Sequence, residues 1–245
     1  MANIRLDKFL ADAGAGTRSQ VKELIKKGRV KVNNVIVKKS DIKIQTDEDF
    51  VSLDDKKVSH CEFQYFMLNK PGGVVSATKD EKEKTVIDLI DVSKRRDLFP
   101  VGRLDKDTEG LLIITNDGVM ANKLLAPGKH VNKTYFAKIE GCVTDETVEM
   151  FSSGIDIGDD KLTKPAILQI ISVFSKEEQY ESEVKVTITE GRYHQIKRMF
   201  EKVGMKVTYL KRISMGPIFL DEALTCGEYR ELTQEEIELL KNAHQ

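Results

Sequence analysis

The chain has 245 residues, 32% of them charged and 40% hydrophobic, which is the composition of a soluble globular protein with length for one or two cores. Its 39 basic and 40 acidic residues give a net charge of −1, which excludes a uniformly basic nucleic-acid coat and a strongly acidic disordered chain. The balance is local rather than uniform. Residues 1–43 hold eleven bases against four acids, a net of +7, and the remainder holds 28 bases and 36 acids, a net of −8.

The basic segment carries its own fold signals. Leu6, Phe9, Leu10 and Ala13 recur at helical spacing. Thr17 and Gln20 form a capping box ahead of Val21, Leu24 and Ile25, and Gly28 supplies a helix stop. Residues 29–32 and 35–37 flank Asn33-Asn34, a two-residue hairpin turn. The acidic patch at 47–49, the apolar run 50–53 and a polar run at 54–59 follow, and we place a linker at 56–62. The expected division is a small domain over 1–60 and a larger one over 61–245.

The larger part alternates strands and helices without a βαβ cadence. Residues 64–69 read as a strand ended by Lys70-Pro71-Gly72-Gly73, and 111–115 as a short apolar strand followed by an Asp117-Gly118 turn. Residues 134–139 form a third strand, with Tyr135, Ala137 and Ile139 on one face; Val184, Val186 and Ile188 alternate on a half-buried fourth. Ile196, Met199, Phe200 and Val203 make a helical stripe, and Thr233 with Glu236 caps a last helix through Leu240. The expected class is α+β with a mixed, mainly antiparallel sheet.

Cys61, Cys142 and Cys226 stand apart without a CxxC spacing, so no disulfide framework or zinc site is expected. The charged start lacks a signal peptide's apolar stretch, and no run reaches the ~20 apolar residues of a membrane span, so a cytoplasmic location is expected.

Three polar constellations remain. Gly102-Arg103-Leu104-Asp105-Lys106-Asp107-Thr108-Glu109-Gly110 gathers three acids at calcium-loop spacing. The twelfth position, however, is Asn116, and an apolar strand begins where the loop must continue, so calcium is disfavoured. A solvated turn is the plainer alternative. Glu190-Gly191-Arg192-Tyr193-His194-Gln195-Ile196-Lys197-Arg198 is a cation-rich strand-to-helix turn, suited to phosphate or to a solvated basic face. For His194 alone, a plain surface histidine is favoured. Lys133-Thr134-Tyr135 puts a tyrosine on a strand, either in the core or free to stack on a base.

In order along the chain, Tyr65-Phe66-Met67-Leu68-Asn69-Lys70-Pro71, Val101-Gly102-Arg103-Leu104-Asp105 with Asp107-Thr108, Lys133-Thr134-Tyr135, and 190–200 resemble the bacterial ribosomal small-subunit pseudouridine synthase A family. The tail Gly227-Glu228-Tyr229-Arg230 fits the same pattern, and the basic segment is similar to the RNA-binding module of the fourth small-subunit ribosomal protein. The resemblance implies a uridine isomerase acting on 16S ribosomal RNA without a metal or organic cofactor. It implies a monomer whose partner is ribosomal RNA, within an assembling small subunit. Asp105 would be the catalytic carboxylate, attacking C1′ or taking the C2′ proton. Lys197 would hold Asp105 ionised, and Tyr135 would pack on the uracil. Ile196 would support the base, with the core stripe as an equal reading. Arg103 would fill the gap left by the extruded nucleotide or grip phosphate. Arg192, Arg198 and Lys70, with Arg18, Lys22, Lys26 and Arg29 of the basic segment, are expected to contact RNA. The alternatives are a large-subunit RNA synthase, which more often carries an asparagine-arginine pair where Tyr193-His194 stands, and a non-catalytic RNA-binding or assembly factor. A two-carboxylate glycosidase is weak, because no second carboxylate motif faces the 105–109 loop.

Overall fold

The computed structural model describes residues 3–13, 15–46, 48–58, 63–91, 97–126, 131–176 and 179–242. Two compact units divide the chain, Met1–Phe63 and Gln64–Gln245.

In the first unit, β1 (Asn3–Arg5) leads directly into α1 (Leu6–Asp12), then α2 (Arg18–Lys26). The Thr17 hydroxyl accepts from the Gln20 amide, and the Gln20 side chain accepts from the Thr17 amide, closing the capping box at both ends. Gly28, at φ +73°, turns the chain out of α2. β2 (Val30–Val32) and β3 (Val35–Ile36) pair across Asn33 and Asn34, whose φ values of +50° and +66° make the twisted turn that suits a hairpin. β4 (Lys43–Gln45) pairs with β1, and β5 (Val51–Leu53) and β6 (Lys56–Lys57) complete a second sheet in the order β3-β2-β5-β6. Leu6, Phe9, Leu10, Val21, Ile25, Val30, Ile44 and Val51 form the core of this unit. The expected linker at 56–62 is corrected at its start: Lys56 and Lys57 pair with Leu53 and Ser52 in the sheet. Residues 59–62, with Cys61, and Asp47 of the acidic patch lie outside the described residues.

The second unit is built on one mixed sheet. Its strands are β7 (Tyr65–Lys70), β8 (Phe99–Pro100), β9 (Glu109–Thr115), β10 (Lys133–Glu140), β11 (Ile167–Lys176), β12 (Gln179–Ile188), β13 (Lys206–Met215), β14 (Ile218–Phe219) and β15 (Tyr229–Glu231). The order is β11-β12-β10-β13-β9-β7-β15, with β14 on β13 and β8 on β9. Only the β13–β9 pairing is parallel among the described strands. The helices are α3 (Gly118–Leu125), α4 (Asp145–Ser153), α5 (Gln195–Lys202) and α6 (Gln234–Asn242). The class is α+β, with a mixed sheet.

A second expectation needs correction. Asp117-Gly118 is a helix start rather than a turn: the Asp117 carboxylate accepts from the Val119 and Met120 amides, both at 3.0 Å, and caps α3. The positions read as strands and stripes from their period lie in the core: Tyr135, Ala137, Ile139, Val184, Val186, Ile188, Ile196, Met199 and Phe200 are all buried there.

A single register line crosses the sheet. Lys70 faces Gly110, Gly110 faces Arg212, Arg212 faces Tyr135, Tyr135 faces Val186, and Val186 faces Leu168. Gly110 sits at φ +98°, and a Cβ there would collide with the Arg212 backbone, whose nitrogen would be 2.8 Å away. Only glycine lets β9 and β13 close at this point, immediately after the acidic loop.

Candidate active site

The loop between β8 and β9 is pinned at alternate positions. The Ser76 hydroxyl donates to the Leu104 carbonyl at 2.9 Å and accepts from the Leu104 amide at 3.1 Å. The Gly73 amide donates to the Lys106 carbonyl at 2.7 Å. The Lys70 ammonium donates to the carbonyls of Pro71, Lys106 and Thr108 at 2.9, 3.1 and 2.8 Å. These bonds fix Leu104, Lys106 and Thr108 and leave Asp105 and Asp107 to project. Lys70 is completely buried, and desolvation pulls its ammonium down to about 8, against the opposing pull of Asp107, Glu109 and Asp105. The expectation that Lys70 contacts RNA is therefore corrected. All three of its donors are already used on backbone carbonyls, and none reaches solvent.

Helix α5 delivers the counter-charge. Its apolar stripe buries Ile196, Met199 and Phe200 in the core, with Phe200 tilted against Phe151 at 4.8 Å, and this turns Lys197 towards the loop. The Lys197 ammonium donates to Asp107 at 2.6 Å and lies 3.4 Å from the Asp105 carboxylate. His194 adds its Nε2 at 3.6 Å from the other Asp105 oxygen. The Asp107 carboxyl, raised by partial burial, is brought below the usual range by the Lys197 bond. Asp105 thus sits partly exposed with two nitrogen groups facing it.

The other expected cations divide differently. The Arg192 guanidinium donates to the Lys161 and Leu162 carbonyls at 2.7 Å each and also meets Glu190 and Asp159. Arg198 donates to the Tyr193 carbonyl at 3.1 Å, to Asp159 at 2.6 Å and to the Ile157 carbonyl. Both hold the 157–162 loop against the start of α5. Arg103 is exposed and has no ion-pair partner among the described residues. Ile196 is 4% exposed within the core cluster. Tyr135 is 7% exposed.

Sequence reasoning passed over Ser76 and Arg212, and read His194 as a plain surface histidine. Arg212 is 1% exposed; its Nε donates to the Leu111 carbonyl at 2.7 Å, and its Nη2 is buried without an acceptor among the described residues. It shares the inward parity of Leu210 and Ser214 on β13, the one signal that would have placed it beside Tyr135. Burial and the neighbouring Arg212 charge bring the Lys133 ammonium down to about 8. In the other unit, Arg18, Lys22 and Lys26 are exposed along α2, four residues apart, and Arg29 is paired with Asp54. No group of three His, Cys, Asp or Glu that could hold a metal occurs among the described residues.

The family model for RNA pseudouridylate synthase matches residues 64–202, which contain the 105–109 loop, Tyr135 and the start of α5. The chain belongs to that family. An S4 domain model matches residues 4–50 of the first unit. The chain is similar to the ribosomal small subunit pseudouridine synthase A of Escherichia coli (strain K12), 40% identical over 235 residues, 96% of this chain and 98% of the relative. It is equally similar to the ribosomal large subunit pseudouridine synthase B of Bacillus subtilis (strain 168), 40% identical over 237 residues, 97% of this chain and 95% of the relative. A crystal structure of a pseudouridylate synthase matches with a TM-score of 0.68 at 40% identity, covering 97% of this chain and 99% of that one. The pseudouridine synthase fold, the RNA isomerase activity and an S4-type RNA-binding domain are therefore properties of this chain.

Proposed function

We propose that the protein isomerises a specific uridine of 16S ribosomal RNA, using Asp105 as the catalytic carboxylate. The reaction breaks the bond between uracil N1 and ribose C1′, turns the base, and rejoins it to C1′ through C5. Atoms and electrons balance with no oxidant, and the chemistry falls to a carboxylate beside the sugar. The observation that carries the reading is the Asp105–Lys197–Asp107 arrangement, with Lys197 3.4 Å from one carboxylate and 2.6 Å from the other. Lys197 keeps Asp105 available as nucleophile at C1′ or base at C2′. Tyr135 packs on the base and Ile196 backs it. Arg103, exposed beside the loop, fills the vacated stack or grips phosphate, offsetting the few kcal/mol that extruding a nucleotide costs. The domain at 1–60 supplies sequence-tolerant affinity through Arg18, Lys22, Lys26 and Arg29, and 61–245 supplies the catalysis. The protein acts as a monomer in the cytoplasm on an assembling small subunit. No helix among the described residues is long and apolar enough to cross a membrane.

The test is Asp105→Asn assayed for pseudouridine formation on small-subunit RNA and on precursor particles. Turnover is expected to fall by about 10²–10⁴-fold or more while RNA binding is retained. Retained turnover would sink the assignment. A large-subunit target is the second reading, favoured by the equal similarity to the large-subunit relative. Base-resolution mapping of both ribosomal RNAs in a deletion strain separates the two.

A further inference from the structure

The turn that enters α5 carries a feature that the isomerisation chemistry leaves unused. Tyr193 and His194 stack face to face, ring centroids 3.9 Å apart and 16° from parallel. The tyrosine is 76% exposed, and among the described residues its hydroxyl has no partner. Its position is held from several sides. His194 adopts φ +48°, a left-handed conformation that a non-glycine residue keeps only when its surroundings enforce it. The Arg192 amide donates to the Gln195 side chain at 3.0 Å, the Arg198 amide to the His194 carbonyl at 3.0 Å, and Arg198 Nη1 to the Tyr193 carbonyl at 3.1 Å. The Arg192 guanidinium ties the same turn to the Lys161 and Leu162 carbonyls.

The inner ring of the stack is the one that reaches the catalytic loop, with His194 Nε2 3.6 Å from Asp105. The outer ring faces solvent. An exposed tyrosine on a strained, tightly bonded turn gains nothing for folding from its outer face. What the arrangement provides is a rigid aromatic surface one ring outward from the carboxylate, at a site whose substrate is a strand of nucleotides. Every nucleobase has a π-face, and base–aromatic stacking is the common means of holding unpaired RNA.

We infer that Tyr193, backed by His194, is a stacking platform for an unpaired base of the RNA next to the target uridine. The inference rests on the proposed activity for the identity of the neighbour, but its binding step is read separately.

The chain contains no tryptophan, so Tyr193→Trp in the full-length protein gives a single fluorescent reporter at the platform. Titration with an oligouridylate of about twelve nucleotides, a length within reach of one binding site, is expected to quench it; a duplex of the same length is not. In parallel, Tyr193→Leu is expected to raise KM for deproteinised small-subunit RNA about tenfold or more, the size of one base–aromatic stack, with an unchanged melting temperature. Tyr193→Phe, which keeps the ring, is expected to restore the lost affinity. An unquenched reporter, equal quenching by the duplex, or a Tyr193→Leu variant with the parent's KM would overturn the platform. Absence of pseudouridine formation by the parent protein is a different result: it defeats the proposed function, while the fluorescence titration still decides whether the platform takes a base.

Discussion

Arg18, Lys22 and Lys26 stand exposed along α2 without an ion-pair partner among the described residues, whereas Arg192 and Arg198 at the start of α5 give their donors to backbone carbonyls and to Asp159. Lys70 carries the second pattern to its limit, with three carbonyls on one buried ammonium. In the sequence these residues look alike, as basic side chains in basic surroundings. The structure separates cations without an ion-pair partner among the described residues from cations whose donors are already taken up. A phosphate competes poorly with a carbonyl already held in geometry, because the guanidinium would have to give up bonds it already makes. Residues 1–43, at +7, must therefore do most of the long-range attraction, since the remainder of the chain sums to −8.

The largest effect expected from this division belongs to Lys70. Lys70→Met leaves the Pro71, Lys106 and Thr108 carbonyls unpaired, and should lower stability by about 3–5 kcal/mol and remove most activity. Urea unfolding followed with pseudouridine formation checks both. The same residue has a pH signature. Burial brings its folded-state pKa to about 8 from an unfolded 10.5, so between those values the unfolded chain holds a proton that the folded one has released. Its contribution to stability must then rise with pH across that window, by up to about 1.4 kcal/mol per pH unit. Lys70→Met should remove that rise, leaving the similar contribution of Lys133. A variant as stable as the parent, with an unchanged pH profile, would mean that the ammonium is not what holds the loop.

Next in size are the clamps. Arg198→Met should cost about 1–3 kcal/mol of stability, since it breaks the bonds to Asp159 and to two carbonyls, and should leave the salt dependence of RNA binding unchanged. A salt slope reduced by nearly one unit would instead make Arg198 a phosphate contact.

Why one pattern was legible and the other was not follows from the range of the interactions. Thr17 with Gln20, Asn33-Asn34 and Thr233 with Glu236 are determined by neighbours within three residues, and all appear in the structure as read. Period alone located β10, β12 and α5 because each has one apolar face. The elements missed are those whose pattern is broken by tertiary context. β13, in the middle of the sheet, sends Arg212 inward beside Leu210, so its buried face reads as polar. β11 leaves Ile167, Ile171 and Phe174 exposed, so its outer face reads as buried. Asp117 looks like a turn residue because an N-cap and a turn use the same side-chain bond to the backbone. In the site, the motif residues were legible by resemblance. Their partners were not: Ser76 is 28 residues from the Leu104 it pins, and Lys70 is 38 from Thr108.

The exposed cations of α2 yield smaller, cleaner effects. Replacing Arg18, Lys22 and Lys26 together by Gln should reduce the slope of log affinity against log salt by about 2–3 units, at 0.7–0.9 per phosphate contact, with stability within about 0.5 kcal/mol of the parent. Filter binding across a salt series measures the slope, and no change would move RNA contact away from α2.

The smallest effect expected tests the boundary between the two patterns. Arg29 lies just beyond α2 yet is bonded through two guanidinium nitrogens, Nε and Nη2, to Asp54 of the adjacent strand turn. If that pair is self-contained, Arg29→Gln weakens RNA binding chiefly by leaving the Asp54 charge unopposed near a phosphate-facing surface. Adding Asp54→Asn should then return the affinity to the parent's value, because the double variant removes equal and opposite charges. If Arg29 instead reaches a phosphate while paired, the double variant stays as weak as the single one and its salt slope falls by nearly one unit. The second outcome would show that pairing with a carboxylate at an exposed site does not withdraw a cation from RNA, and would confine the contrast to arginines whose acceptors are backbone carbonyls.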